Sequence, residues 1–484
     1  MRISIVYRVL SFISLIVSSL MIFPLGLALY DGTPDYLAFI SAMSMGLIIS
    51  LSFFLLSCGN SDYKELGNKE AFSVVGFSWI IASAIGALPY LFSGILPNYT
   101  DAFFEAMSGF STTASSVIPN IESCSRGILF WRSFTLWLGG MGIIVLGIAI
   151  LPFFGVGGME LYKAEVPGPT HEKLTPRVQQ AALLLWEVYV FLTIAETILL
   201  SLGGMSFFDA LTHSLGTIST GGFSIKNASI AWYKSAYIDW IIIIFMFLSG
   251  ANFVLHYRML TSGFKGYLKD DEFRLYSGII LVCIVTSTLV LHMTGYYQNI
   301  FETLRFAAFH VVSMITTTGY STADYEYWPY SIQFILLLLM FVGGCAGSTS
   351  GGIKNMRILI LFRSIRSEFK KILHPNAVVH IRVNRKVVSR EDISSVMVFI
   401  MIFILMFITA TLLITSLGVD ITTSFSSVTS ALCNIGPGFG LVGPVQNYSW
   451  MPDLAKWILS FCMLAGRLEL YAILILFLPS TWKR

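Results

Sequence analysis

Ser111-Thr112-Thr113-Ala114-Ser115, Ser219-Thr220-Gly221-Gly222-Phe223, Thr316-Thr317-Thr318-Gly319-Tyr320 and Cys433-Asn434-Ile435-Gly436-Pro437 are one short element written four times in a single chain. Each copy closes a short amphipathic run and precedes a long apolar one. The flanking residues fall into register too: Asp101-Ala102 matches Asp209-Ala210 without a gap, and His213 matches His310. Such internal similarity marks a structural unit used several times over.

Composition decides where that unit lives. Hydrophobic residues make up 55% of the 484, charged residues 12%, and mean hydropathy is +0.76; a soluble domain carries about 25% charged residues. Runs of membrane-spanning length are predicted near 4–30, 36–58, 70–95, 128–153, 178–203, 235–259, 275–297, 330–366, 392–418 and 454–479. The first is too long for a signal peptide and lacks a small-residue cleavage site, so a retained helix is expected. The runs upstream of the four loops differ. About ten residues at 1.5 Å each make a helix of ~15 Å, half of a ~30 Å hydrocarbon core. A helix of that length enters the membrane and must leave by the side it entered. The expected fold is therefore an all-α polytopic membrane protein. Four helix–pore-loop–helix repeats surround a central pore, preceded by one extra helix pair. The extra pair is expected over 1–65 and the repeats over 66–170, 171–270, 271–385 and 386–484.

Basic residues orient the chain. Lys64 and Lys69, then Lys163, Lys173 and Arg177, then Arg258, Lys265, Lys269 and Arg274 fall in alternate connections. The most basic stretch contains Arg363, Arg366, Lys370, Lys371, Arg382, Arg385, Lys386 and Arg390. These belong on the cytoplasmic side, with Asp31, Asp35, Asp324 and Glu326 opposite, which predicts both termini inside. The 363–390 stretch reads equally as topogenic charge or as contact with membrane lipid or a protein partner. A net charge of +3 does not point to nucleic acid. The cysteines Cys58, Cys124, Cys283, Cys345, Cys433 and Cys462 show neither disulfide nor metal-ligand spacing.

A hydroxyl- and glycine-rich loop at membrane depth cannot face lipid, where its backbone would go unsatisfied. Four around an axis can line a pore with carbonyl oxygens. A half-helix entering from outside aims its partially negative C-terminus at mid-membrane, favouring a cation, and glycine permits the φ > 0 conformations that turn carbonyls inward. Oxygen ligands without a fixed carboxylate suit a monovalent alkali cation better than calcium. The competing reading is small-residue helix packing, which explains one such cluster more readily than four in register.

Thr317-Thr318-Gly319-Tyr320 resembles a degenerate form of the potassium-channel TVGYG filter, with one glycine in place of two. Four unequal copies in one chain resemble the TrkH/KtrB/HKT superfamily of potassium transporters, and the extra N-terminal pair favours its TrkH branch. The resemblance implies an ion selectivity filter that holds K+ at Thr112, Thr113 and Ala114, at Thr220, Gly221 and Gly222, at Thr317, Thr318 and Gly319, and at Asn434, Ile435 and Gly436. Ala114 stands where the family usually has glycine. An alanine forced to φ > 0 costs on the order of 1 kcal/mol, which predicts a different backbone at that subsite and only moderate preference for potassium. The resemblance further implies a bacterial inner-membrane homodimer, each subunit with its own path. It also implies a separate TrkA-like cytoplasmic subunit that binds nucleotides and controls the gate.

The predicted span over 330–366 would run about 50 Å as a continuous helix, too long for a bilayer. It contains Gly343-Gly344-Cys345-Ala346-Gly347-Ser348-Thr349-Ser350-Gly351-Gly352-Ile353-Lys354, and a break is expected. Gly343, Gly347 and Gly351 also have the spacing of a close helix contact. The family resemblance implies a gate over Gly347, Ser348, Thr349, Ser350, Gly351 and Gly352, with Lys354 adjoining. Arg467 aligns with Met141, Ala251 and Cys345 below the loops. Arginine deep in a span costs about 2.5–3.5 kcal/mol on insertion scales. It reads as a pore barrier, or as a brace bonded to Glu469 or to half-helix carbonyls. Glu187, Glu196, His213 and His310 could carry protons, but structural hydrogen bonding is the favoured reading. Glu105 reads as a brace, and Phe223 and Tyr320 as packing behind the loops. A channel-like uptake protein is favoured over a sodium- or proton-coupled symporter, because two-span repeats keep one orientation where such carriers show inverted ones. No nucleophile–base pair or metal-ligand cluster suggests an enzyme.

Overall fold

The computed structural model describes residues 3–57, 68–142, 178–263, 265–377 and 379–482. Cys58, Lys64, Lys163, Lys173, Arg177 and the end of the span expected over 128–153 lie outside them. Helix dominates, and among the described residues six helices are long and apolar enough to cross a membrane: Ile3–Asp31, Asp35–Leu56, Lys69–Phe92, Leu183–Leu202, Asp271–Met293 and Arg390–Ser416. Their outer faces are apolar and uncovered. On Arg390–Ser416, Met401, Leu405 and Leu412 are 70%, 66% and 65% exposed. A belt of this kind is solvated by lipid rather than by water.

Inside that belt stand the four short helices, Tyr99–Phe110, Phe207–Ile218, Ile300–Ile315 and Ile421–Cys433. Each starts at a side-chain cap. Asn98, Ser206, Asn299 and Asp420 accept from the backbone N–H of Thr100, Asp209, Phe301 and Thr423. Such caps satisfy a donor the helix leaves orphaned and are each worth about 1 kcal/mol. The last turns are buried in every copy, as half-helices enclosed by longer ones should be.

The long helices after the loops meet expectation in the third repeat and depart from it in the second and fourth. The break over 330–366 is present: Tyr330–Val342 ends, residues 343–354 are irregular, and Asn355–Leu373 resumes. Two spans expected to be continuous are broken as well. Ala236–Ser249 meets Phe253–Met259 at 101°, and Asp453–Arg467 meets Tyr471–Phe477 at 116°. The cause is crowding. A methyl built on Gly466 would lie 2.1 Å from the Leu432 carbonyl oxygen, and one on Gly250 2.7 Å from Thr316 Cγ2. The long helices press so closely on half-helix ends that they turn away there. In the first repeat Arg126–Gly140 ends at the same level, with Gly139 against the Phe110 carbonyl.

Among the described residues the strands are Arg382–Val383 and Lys386–Val387, an antiparallel hairpin turned by Asn384 and Arg385 at φ 50° and 67°. Two positive φ values are the signature of a tight two-residue turn. Asn384 fastens it to the start of Asp271–Met293, donating to Asp270 Oδ2 at 2.7 Å and accepting from the Asp271 N–H at 2.8 Å.

Candidate functional site

The four loops share a backbone that their sequences do not. After each half-helix a residue takes φ between 52° and 58°: Thr112 (56°), Thr220 (52°), Thr317 (58°) and Asn434 (54°). Two residues later comes a second positive φ, at Ala114 (60°), Gly222 (83°), Gly319 (77°) and Gly436 (109°). Asparagine visits this left-handed region readily, but a β-branched threonine there is an outlier. Three threonines held at one equivalent position are stored strain of the kind found at functional sites. The donors between are consumed at the helix end. The N–H groups of Thr113, Gly221, Thr318 and Ile435 reach back to the carbonyls of Ser108, Gly216, Ser313 and Ser430 at 2.8–3.0 Å. With the N–H groups turned back onto the helix, the loop carbonyls are left for other partners.

Ala114 corrects the expectation attached to it. Its φ has the same sign as its three counterparts, and its N–H bonds Ser108 O at 3.3 Å as Gly222 bonds Gly216 O at 3.3 Å. The surrounding hydrogen bonds offset the methyl's strain, so the first subsite keeps the common backbone. The fourth copy is the one that departs. Gly436 donates to the Ser430 hydroxyl at 3.0 Å instead of to a backbone carbonyl. Its own oxygen accepts from Ser115 Oγ, Ser430 Oγ and Tyr448 Oη at 3.1, 2.7 and 2.9 Å.

The loops close into a ring. A methyl built on Gly222 would lie 1.7 Å from the Thr318 carbonyl oxygen, one on Gly319 1.9 Å from that of Ile435, and one on Gly436 2.7 Å from that of Thr113. Each third-position glycine thus abuts the middle carbonyl of the next loop, in the order second, third, fourth, first. Asn434 ties the last seam with its side chain, donating to Thr113 Oγ1 at 3.0 Å and to Met463 O at 2.9 Å.

Cavities lie on both sides. One of about 90 Å³ is lined by Ala114, Gly222, Gly319 and Gly436 together with Arg132 and Lys226. The other, about 110 Å³, is lined by Met141, Gly347 to Gly351, Lys354 and Arg467. Between this second cavity and the ring runs the 343–354 loop. Gly343, Gly347, Gly352 and Lys354 have φ of 72–75°. The loop is bonded to its surroundings at many points. The Gly351 N–H donates to Thr317 Oγ1 at 2.8 Å, and Thr349 Oγ1 donates to Ile218 O at 3.0 Å. A methyl on Gly351 would lie 2.1 Å from Cys433 O. The loop therefore touches the ends of the second, third and fourth half-helices. Arg467 extends the set to the first repeat, donating to Thr349 O at 2.7 Å and to Gly139 O and Gly140 O at 2.5 and 2.8 Å. Glu469 pairs with Arg357 and, at 3.6 Å, with Lys354.

Behind the ring, three buried groups occupy the same step of successive half-helices. Glu105 accepts from Ser116 Oγ at 3.0 Å, the Val117 N–H at 2.8 Å and Arg132 Nε at 2.5 Å. His213 contacts Ser224 Oγ at 3.1 Å and His310 contacts Ala323 O at 3.1 Å, each ring's other nitrogen bonding its own helix. All three pin the outgoing segment to the half-helix, so the structural reading holds for them. Arg132 continues the frame, stacking 3.7 Å from the Phe223 ring and donating to Ser224 O at 2.8 Å. Tyr320 bonds the His213 and Phe223 carbonyls at 3.2 Å. Glu187 is exposed. Glu196 is fully buried, beside Thr217 of the second half-helix. Arg132 and Tyr448 were not singled out in sequence; an arginine within an apolar run was the available signal for the first.

The whole chain has relatives. The TrkH family model, described as a cation transport protein, matches residues 40–484. The Trk system potassium uptake protein TrkH of Escherichia coli K12 is 41% identical over 470 residues, covering 94% of this chain and 97% of that one. Its namesake in Halomonas elongata is 36% identical over 491 residues, covering both chains fully. The crystal structure of the potassium transporter TrkH from Vibrio parahaemolyticus superposes with a TM-score of 0.90 at 34% identity, covering all of both chains.

Proposed function

Because the chain belongs to the TrkH family of cation transport proteins, and is thus a multi-pass membrane protein, we propose that it is a potassium-permeable, channel-like uptake protein of a bacterial inner membrane. The observation that carries this reading is the ring: four loops with paired left-handed residues and middle N–H groups turned back onto their helices, and three third-position glycines packed on the next loop's carbonyl. In this reading Thr112 to Ala114, Thr220 to Gly222, Thr317 to Gly319 and Asn434 to Gly436 are the filter. Loop carbonyls other than that of Gly436, which three hydroxyls already occupy, coordinate K+, and the half-helix C-termini supply a negative field. Thr112 Oγ1, buried without a hydrogen-bond partner, is suited to the same role.

The 343–354 loop is the gate. Its bonds to Thr317 and to Ile218 hold it under the filter, and opening requires those bonds to exchange for others. Arg467 is the barrier residue, and its bonds to Thr349 and Gly139 also latch the loop to the first repeat. A TrkA-like nucleotide-binding subunit acts from the cytoplasmic side, where both termini lie, and two copies of the chain form a dimer of separate pores. Single-channel recording of the purified chain in planar bilayers, with ion substitution, tests the core of this reading. Potassium currents that persist without a sodium or proton gradient are expected. Flux that vanishes whenever those gradients are removed would replace the channel with a coupled symporter.

A further inference from the structure

The cavity of about 90 Å³ borders all four loops, yet its walls contain no aspartate or glutamate and two cations, Arg132 and Lys226. The two are not alike. Arg132 is matched by the buried Glu105 carboxylate at 2.5 Å, whereas Lys226 forms no ion pair among the described residues. The acids of the adjoining segments are engaged with other groups. Glu122 accepts from the Asn227 N–H at 3.4 Å, and Asp209 accepts from Ser206 and from Tyr233 Oη at 2.9 Å. Lys226 is also held in place. Its N–H donates to Ser224 Oγ at 3.0 Å, and its ammonium lies 4.0 Å from the centre of the Trp232 ring, a favourable seat for a cation. The residues beside it are tied across repeats. Asn227 accepts from the Ile121 N–H at 2.9 Å, and the Ala231 N–H donates to Ser321 O at 3.2 Å. Four residues beyond Gly222, Lys226 occupies the step that Ile118, Ala323 and Gly440 take after the other loops. One repeat in four therefore places a charge there.

We propose that Lys226 is the entry-limiting charge of this mouth, depleting potassium in front of the ring and so restraining flux into it at low ionic strength. A fixed positive charge in a cleft with low-dielectric walls lowers the local cation concentration. Salt removes the effect, because the screening length falls from about 30 Å at 0.01 M to about 3 Å at 1 M. This rests on the ring being the potassium path.

Single-channel recording of the purified full chain in bilayers of neutral lipid tests it, with current entering from the side of this cavity. Potassium is fixed at about 0.01 M, with and without about 1 M of an impermeant salt. K226M and K226Q remove the charge, the first keeping an apolar stem against Trp232, and K226R retains it. Without added salt, K226M and K226Q should carry about two- to fivefold more current than wild type. Added salt should raise the wild-type current towards theirs, and K226R should keep the wild-type salt dependence. An unchanged or lower current in K226M and K226Q, a rise of the same size in high salt, or an equal rise in K226R overturns this proposal alone. No potassium current in wild type or any variant overturns the channel reading and this one with it.

Discussion

The loops of the ring and the breaks beneath them belong to the same four repeats, yet they have diverged to different degrees. Above, four dissimilar sequences hold one backbone, down to the back-bonds onto Ser108, Gly216, Ser313 and Ser430. Below, a bend of 101°, a bend of 116°, an irregular loop over 343–354 and a helix end at Gly140 share only their level. An ion in the proposed filter is shared among all four loops, so their backbones are constrained together. An obstruction needs one member, which leaves the others free to change. Uniformity marks the proposed filter, and asymmetry marks the proposed gate.

The comparison breaks most severely at Gly222. Its methyl would lie 1.7 Å from the Thr318 oxygen at a φ of 83°, so G222A should abolish potassium flux in liposomes while the chain still purifies as a folded species; retained flux would mean the ring is not the path. The gate should yield a large gain instead. Deleting Ala346–Gly351 should raise flux by about tenfold or more, the factor that about 1.4 kcal/mol in the open–closed balance supplies. Unchanged or lower flux in a folded deletion would return the loop to a packing role. Arg467→Ala removes bonds to three carbonyls and a positive charge from the second cavity. Conductance should rise by roughly two- to fivefold, within the span of 1 kcal/mol, and an unaltered single-channel conductance would end the barrier role. The smallest effect is expected at Ala114. A114G relieves left-handed strain and should raise the melting free energy by up to about 1 kcal/mol, with flux near that of wild type.

The ring was readable because its chemistry is local. Hydroxyl, glycine and a half-length apolar run sit next to one another in sequence, and five glycines announce a break at 343–352. The other breaks were hidden because their cause is distant. Gly250 and Gly466 are single glycines in apolar runs, and only the half-helix ends against Thr316 and Leu432 turn them into crossings without room. Ala114 misled for the related reason that a residue's strain is legible in sequence while the bonds that offset it are not. The brace reading of Glu105, His213 and His310 is of the same local kind, since each bonds the segment that leaves its own half-helix.

The oxygen of Gly436 is already spent. Three hydroxyls, from Ser115, Ser430 and Tyr448, converge on it, and a carbonyl has two lone pairs. In the proposed filter, the tier it belongs to therefore offers a cation three oxygens and a blank. An ion resting there keeps a water molecule on the blank side. Size discrimination operates by demanding that the last of the hydration shell be shed into a complete set of replacements. A tier that never makes that demand admits potassium at lower cost and rejects sodium less firmly.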